Sequence, residues 1–97
     1  MAIKIRTNFF PPLDKPKMYF VYILNDNYIS WEFCMKTLKD VFHKNEEEAT
    51  ALTDEILNYG EAICGVYLFD VAETKAEIVE EQAKKKGLSM MCLVEEV

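Results

Sequence analysis

Three kinds of side chain in this 97-residue sequence have the types that chemistry needs: three cysteines, a single histidine and the run Asn25-Asp26-Asn27. A cysteine nucleophile wants a base beside it to hold the thiolate. His43 is the only imidazole, and its place beside Lys44 at the expected end of a helix suits a solvated group that complements the helix dipole. Nothing in the spacing brings it to Cys34, Cys64 or Cys92, so an enzyme built on Cys34 or Cys64 is a weak reading. The cysteines stand 30 and 28 positions apart, with no CxxC or HExxH, so no metal-ligand spacing occurs and no cofactor is expected. Gly60, Gly65 and Gly87 are the only glycines and form no phosphate-cradling loop. Glu46–Glu48 and Glu80–Glu81 read as solvated helix faces. The Asn25-Asp26 pair offers more. An amide oxygen beside a carboxylate can accept hydrogen bonds from an ammonium group, each contributing roughly 1.5–3 kcal/mol. That is one way to capture the free amino terminus of a peptide. The alternative is that Asn-Asp-Asn merely turns the chain and caps a helix.

Composition narrows the field. The chain carries 17 acidic and 11 basic groups, net charge −6. Residues 1–44 hold seven basic and four acidic groups, and residues 45–97 hold four and thirteen. A nucleic-acid binder shows a basic face, so none is expected as a partner. An acidic second half points to basic partners. At 51% hydrophobic and 12% aromatic, the chain can fill a core, and its length suits one domain. No apolar run approaches the ~20 residues of a membrane span, and the amino terminus lacks a signal-peptide pattern. Neither membrane nor secretion is therefore expected, and the odd, widely spaced cysteines read as buried free thiols in a reducing cytoplasm.

The elements that must position these groups follow from periodicity. Residues 1–17 form a tail: Pro11, Pro12 and Pro16 block regular pairing, while Ile3, Ile5, Phe9 and Phe10 are apolar handles for docking. Residues 18–97 form the core domain. MYFVYILN at 18–25 predicts a strand buried on both faces. Ser30 caps a helix whose stripe runs through Trp31, Cys34, Met35, Leu38, Val41 and Phe42. Asn45 and Glu48 have capping-box spacing for a second helix, with Ala49, Leu52, Ile56 and Tyr59 on one face and Gly60 as its stop. Residues 62–69 predict a second strand, in which Gly65 marks a bulge or a close backbone approach. Asp70 and Glu73 have capping-box spacing for a third helix with Ala72, Ala76, Val79 and Ala83 on one side and Gly87 after it. Residues 90–94 predict a third strand. The order β-α-α-β-α-β implies an α+β fold in two layers, three helices on one face of a small three-stranded sheet.

The stretches ILNDNY at 23–28, EFCMKTLKDVFHKNEEEAT at 32–50, AICGVY at 62–67 and VAETK at 71–75 resemble the ClpS family over roughly residues 18–95. The resemblance implies the fold of that family, related to the carboxy-terminal domain of the ribosomal stalk protein. It implies a monomeric bacterial adaptor rather than an enzyme. Such an adaptor binds substrates with amino-terminal Leu, Phe, Tyr or Trp and delivers them to the ClpA unfoldase of the Clp protease. It assigns the amino-group contacts to Asn25 and Asp26. It assigns the walls of the side-chain pocket to Ile29, Trp31, Cys34, Thr53, Ile56, Leu57 and Met90. Its unfoldase-facing surface maps to Tyr28, Asp70, Glu73, Thr74 and Lys75, and the tail is the part that engages the unfoldase during delivery. The chain departs from the family pattern at Asn27, where a second aspartate is common, and at Ile29, where a polar residue is usual. Trp31 stands in place of a gating methionine, Thr53 in place of a pocket methionine, and Leu57 in place of a histidine that helps hold the amino group. Trp31 has two readings, a gate over the pocket or an ordinary core residue of its helix. The changed pocket also admits an alternative function, an unfoldase-binding modulator or inhibitor with altered or lost amino-terminal recognition.

Overall fold

The computed structural model describes residues 16–25 and 30–97. Residues 1–15, most of the expected tail, and residues 26–29, which include Asp26, Tyr28 and Ile29, lie outside the described residues.

The elements run β1 (Met18–Asn25), α1 (Trp31–Asp40), α2 (Glu46–Tyr59), β2 (Glu61–Leu68), α3 (Phe69–Lys85) and β3 (Met90–Glu96). The strands form one antiparallel sheet in the order β2-β1-β3, with β1 in the middle. Helices gather on one face of this sheet, giving the two-layer α+β architecture that the element order implies.

Local chemistry explains most boundaries. The Ser30 hydroxyl accepts the Phe33 N–H at 3.0 Å and starts α1. A reciprocal capping box starts α2: Asn45 Oδ1 accepts the Glu48 N–H at 2.8 Å, and Glu48 Oε1 accepts the Asn45 N–H at 3.1 Å. Gly60 ends α2 in the left-handed region at φ 90°, where a side chain would be strained. The third expected cap is absent. The residue preceding α3 is Leu68, with no side-chain hydrogen bond, and Asp70 lies inside the first turn. Its carboxylate still faces the positive end of the helix dipole, so the acidic signal has a use without a capping bond. Strand β2 correspondingly ends at Leu68, and Phe69 begins the helix.

Gly65 answers both readings of a glycine in a strand. Val21 pairs with Gly65 but Tyr22 with Ile63, so Cys64 is the extra residue of a bulge. A Cβ on Gly65 would lie 2.5 Å from the Tyr67 ring, so a side chain there requires that ring to shift.

Two expectations about burial are corrected. β1 is not buried on both faces: Val21 and Ile23 point inward and are fully buried, while Phe20, Tyr22 and Leu24 alternate outward and are half-buried. Tyr59, expected on the buried face of α2, is 80% exposed, and Thr53 sits inside with Ala49 and Ile56 instead. Tyr59 is the last residue of α2. The inner layer is one cluster that joins Val21, Ile23, Phe33, Leu38, Ile56 and Val79. Ala72, Ala76 and Ala83 let α3 approach the sheet closely, because a methyl group is all that separates the backbones.

The outward sheet face is also apolar. Its rows are fixed by the register: Val66–Phe20–Glu95, Ile63–Tyr22–Leu93 and Glu61–Leu24–Met91.

Candidate functional site

The end of β1, the start of β3 and the last turns of α2 converge. Asn25 pairs with Met90 across the sheet, and its N–H donates to the Gly60 carbonyl at 2.8 Å. That bond sets Asn25 directly beyond the carboxyl end of α2. The last turn of α2 contains no basic side chain. The negative end of its dipole is therefore left for another cation to complement, which favours a bound ammonium group there. Asn25 Oδ1 is closed off from solvent and accepts no hydrogen bond from the described residues. A buried acceptor without a donor costs about 1–3 kcal/mol, so this atom is stabilised by any N–H that reaches it.

Four of the expected pocket residues belong to the buried layer. Cys34, Thr53 and Ile56 are fully buried and Met90 nearly so. Thr53 and Ile56 share one face of α2, while Cys34 comes from α1 and Met90 from β3. Burial pushes the Cys34 thiol up to about 11, so it remains protonated and serves as a small apolar group. Among the described residues, neither the Thr53 hydroxyl nor that of Thr37 on α1 has a hydrogen-bond partner.

The two substituted positions lie at the surface. Leu57 is 36% exposed and Trp31 41%. Trp31 is therefore not a core residue of its helix, and the buried stripe of α1 runs through Phe33, Cys34 and Thr37 instead. The indole lines a groove of about 400 Å³ with Glu32, Met35, Lys36, Asp40 and Glu46. Ion pairs Lys36–Asp40 and Lys39–Glu46 border it. These pairs are exposed and contribute little to stability.

The other expected surface lies on α3. Asp70, Glu73 and Thr74 are exposed, and the Thr74 hydroxyl donates to the Asp70 carbonyl at 2.8 Å. Asp70, Thr74 and Lys75 line a groove of about 310 Å³ together with Val71 and Ile78. The latter two went unread in the sequence, although 71, 74, 75 and 78 share one helical face. Lys75 is half-buried. Its ammonium donates to the Val41 carbonyl at 2.6 Å and sits 5.1 Å from the Tyr67 ring centroid and 5.9 Å from that of Phe42. It therefore ties α3 to the end of α1 as well as edging the groove.

His43 is exposed and adopts φ 57°, a left-handed residue just beyond the α1 terminus. All three cysteines are free; Cys34 and Cys64 are buried and Cys92 partly so. Burial raises Cys64 and Cys92 to about 12, so neither is a ready nucleophile near neutrality. Among the described residues, no group of three or more His, Cys, Asp or Glu side chains is placed to hold a metal. No helix is long and apolar enough to cross a membrane among those residues.

The comparisons agree with this architecture. The family model for the ATP-dependent Clp protease adaptor protein ClpS matches residues 14–93. The ATP-dependent Clp protease adapter protein ClpS of Helicobacter hepaticus is 42% identical over 85 residues, which cover 88% of this chain and 86% of that protein. The ClpS adapter of Nitratidesulfovibrio vulgaris (strain DP4) is 45% identical over 82 residues, 84% of this chain and 79% of that one. Agrobacterium tumefaciens ClpS2 bound to L-phenylalaninamide superposes with a TM-score of 0.80 at 34% identity, covering 86% of this chain and all of that one. With a family model spanning most of its length and relatives above 40% identity, this chain belongs to the ClpS family of Clp protease adaptor proteins.

Proposed function

We propose that this protein binds substrates through a free amino terminus that carries a bulky apolar residue, and delivers them to a ClpA-type AAA+ unfoldase of the Clp protease in a bacterial cytoplasm. The observation that carries the reading is Asn25 Oδ1, a buried acceptor at the negative end of α2 that has no donor among the described residues. L-phenylalaninamide, the ligand of the ClpS2 neighbour, combines a free amine with a benzyl side chain, the two features this arrangement suits.

The physical logic has two parts. Burying one large apolar side chain contributes about 1.5–3 kcal/mol whatever precedes it in sequence. The test for a free terminus falls to Asn25 and to Asp26, the next residue in the chain. An ammonium group gives both of them charge-assisted donors, whereas an acetylated amine gives a single neutral N–H and leaves acceptors unmet. Leu57 supplies carbon where the family pattern has a histidine, which shifts the burden of holding the amine onto Asn25 and Asp26.

Fluorescence anisotropy with a Phe-initiated peptide and its acetylated twin tests this reading. The free peptide binds, the twin binds at least tenfold more weakly, and Asn25→Ala and Asp26→Ala both abolish the difference. Equal binding of the twins, or binding of neither, rejects it.

The groove on α3 is the surface that we assign to the unfoldase, with Asp70 and Thr74 exposed along it and Glu73 exposed on the same helix. Asp70→Lys is the cleaner probe here, because Lys75 also holds α3 to α1. Asp70→Lys weakens co-elution with a ClpA-type unfoldase while peptide binding stays intact. The alternative, a modulator that docks on the unfoldase without reading substrates, draws on the exposed Trp31 and Leu57 and predicts unfoldase binding with no peptide binding at all.

A further inference from the structure

The outer face of the sheet carries an apolar field that the helices leave uncovered. Its middle row is Ile63–Tyr22–Leu93, and its two carboxylates, Glu61 and Glu95, stand at opposite corners on the two edge strands. Ile63 is 41% exposed, Leu93 46% and Met91 51%. Glu95 also acts on the central strand: hydrogen bonding to it, ahead of burial and charge, raises the Tyr22 phenol above its ordinary range. A contiguous apolar field with charged corners marks a surface that something covers.

A second copy of the chain is a poor cover. It brings a net charge of −6 and the same carboxylates, so acid faces acid across the contact. The complementary chemistry is an apolar segment with basic groups. Residues 1–15 carry three basic groups and one acidic group, while residues 16–97 carry eight and sixteen. Within that first segment Ile3, Lys4, Ile5 and Arg6 alternate apolar with basic, and Phe9 and Phe10 follow. The segment also leaves from the right place. It joins the sheet through Met18 at the head of β1, the central strand, opposite Leu68. Eight residues of β1 span about 27 Å. The nine steps from Phe9 to Met18 reach about 30 Å when extended, enough to lay the phenyl rings on any row.

We propose that the outer face of the sheet is the docking surface for the chain's own residues 1–15, with Phe9 and Phe10 over the Ile63–Tyr22–Leu93 row and basic groups toward Glu61 and Glu95. This docking surface uses the outward side chains of the sheet, whereas Cys34, Thr53, Ile56 and Met90 of the peptide site lie in the buried layer.

The test uses the full chain and the double variant Phe9→Ser/Phe10→Ser, whose substitutions lie outside the inner core. In wild type, sedimentation velocity gives a monomer at every concentration. In the variant, the amide NMR signals of Tyr22, Ile63 and Leu93 move while those of α2 stay, and the fluorescence of a hydrophobic dye such as anilinonaphthalene sulfonate rises several-fold. Lys4→Glu/Arg6→Glu moves the same signals. Unmoved signals with unchanged dye fluorescence overturn the proposal. So does a wild-type chain that self-associates with these signals shifting on dilution, because a second copy is then the cover.

Discussion

The two faces of the sheet are built from nearly the same residue types and have different fates. Inward, Val21, Ile23, Cys64 and Met90 meet three helices and lose their contact with water. Outward, Phe20, Tyr22, Ile63 and Leu93 are as apolar, yet no helix among the described residues lies over them. Composition alone does not separate the faces; the helices cross to one side, and that choice makes one face core and the other surface. The difference teaches that apolarity in this chain serves two ends, holding the fold together on one side and offering a contact on the other.

The largest test of that contrast compares one isoleucine from each face. Ile23→Ala empties a fully buried site and lowers stability by about 2–5 kcal/mol, whereas Ile63→Ala costs within about 1 kcal/mol. Urea midpoints with unchanged slopes measure both. Equal losses would break the contrast.

The bulge supplies the next test. Gly65→Ala sets a methyl group against the Tyr67 ring, and overpacking of this kind costs about 1–3 kcal/mol. Gly65→Ala/Tyr67→Ala relieves the clash, so its loss relative to Tyr67→Ala alone is smaller than the loss from Gly65→Ala in wild type.

The inner face also has a pH signature. The folded state holds the Cys64 proton up to about 12, against an ordinary value of 9.0. A raised folded value means the unfolded chain releases the proton first. The contribution is therefore present in full below pH 9 and is lost as pH climbs toward 12. Stability measured over that window falls more steeply in wild type than in Cys64→Ala. Parallel curves would show that the thiol is not held in an apolar layer.

The smallest effect concerns buried Thr53. Thr53→Val replaces a hydroxyl that has no partner among the described residues with a methyl group of similar size and raises the thermal midpoint, by about 1 kcal/mol in stability. A loss instead would mean the hydroxyl has a donor or acceptor that it uses.

The sequence was most legible where a signal was local. Ser30, the Asn45–Glu48 box and Gly60 name the ends of two helices because each bond lies within four residues. The alanine spacing of α3 names its buried side for the same reason. Legibility failed where a pattern was symmetric or a partner was distant. β1 is apolar at nearly every position, so a period of two does not choose its inner face. Trp31 falls on the expected apolar stripe of α1, yet it is the first residue of the helix and is 41% exposed, which spacing alone does not show. At the candidate site, Asn25 and Asp26 were readable as a pair of acceptors, and the wall residues followed from resemblance.

Spacing and short motifs were enough for the order of elements, most of their boundaries and membership of a family. Folding in three dimensions chose which face of β1 is core, brought the Lys75 ammonium back to the Val41 carbonyl, and set Asn25 beyond the end of α2 with an oxygen that meets no donor among the described residues. Each of these joins residues far apart in the chain, Lys75 to Val41 and Asn25 to Gly60, and no local rule of propensity or periodicity encodes such a meeting.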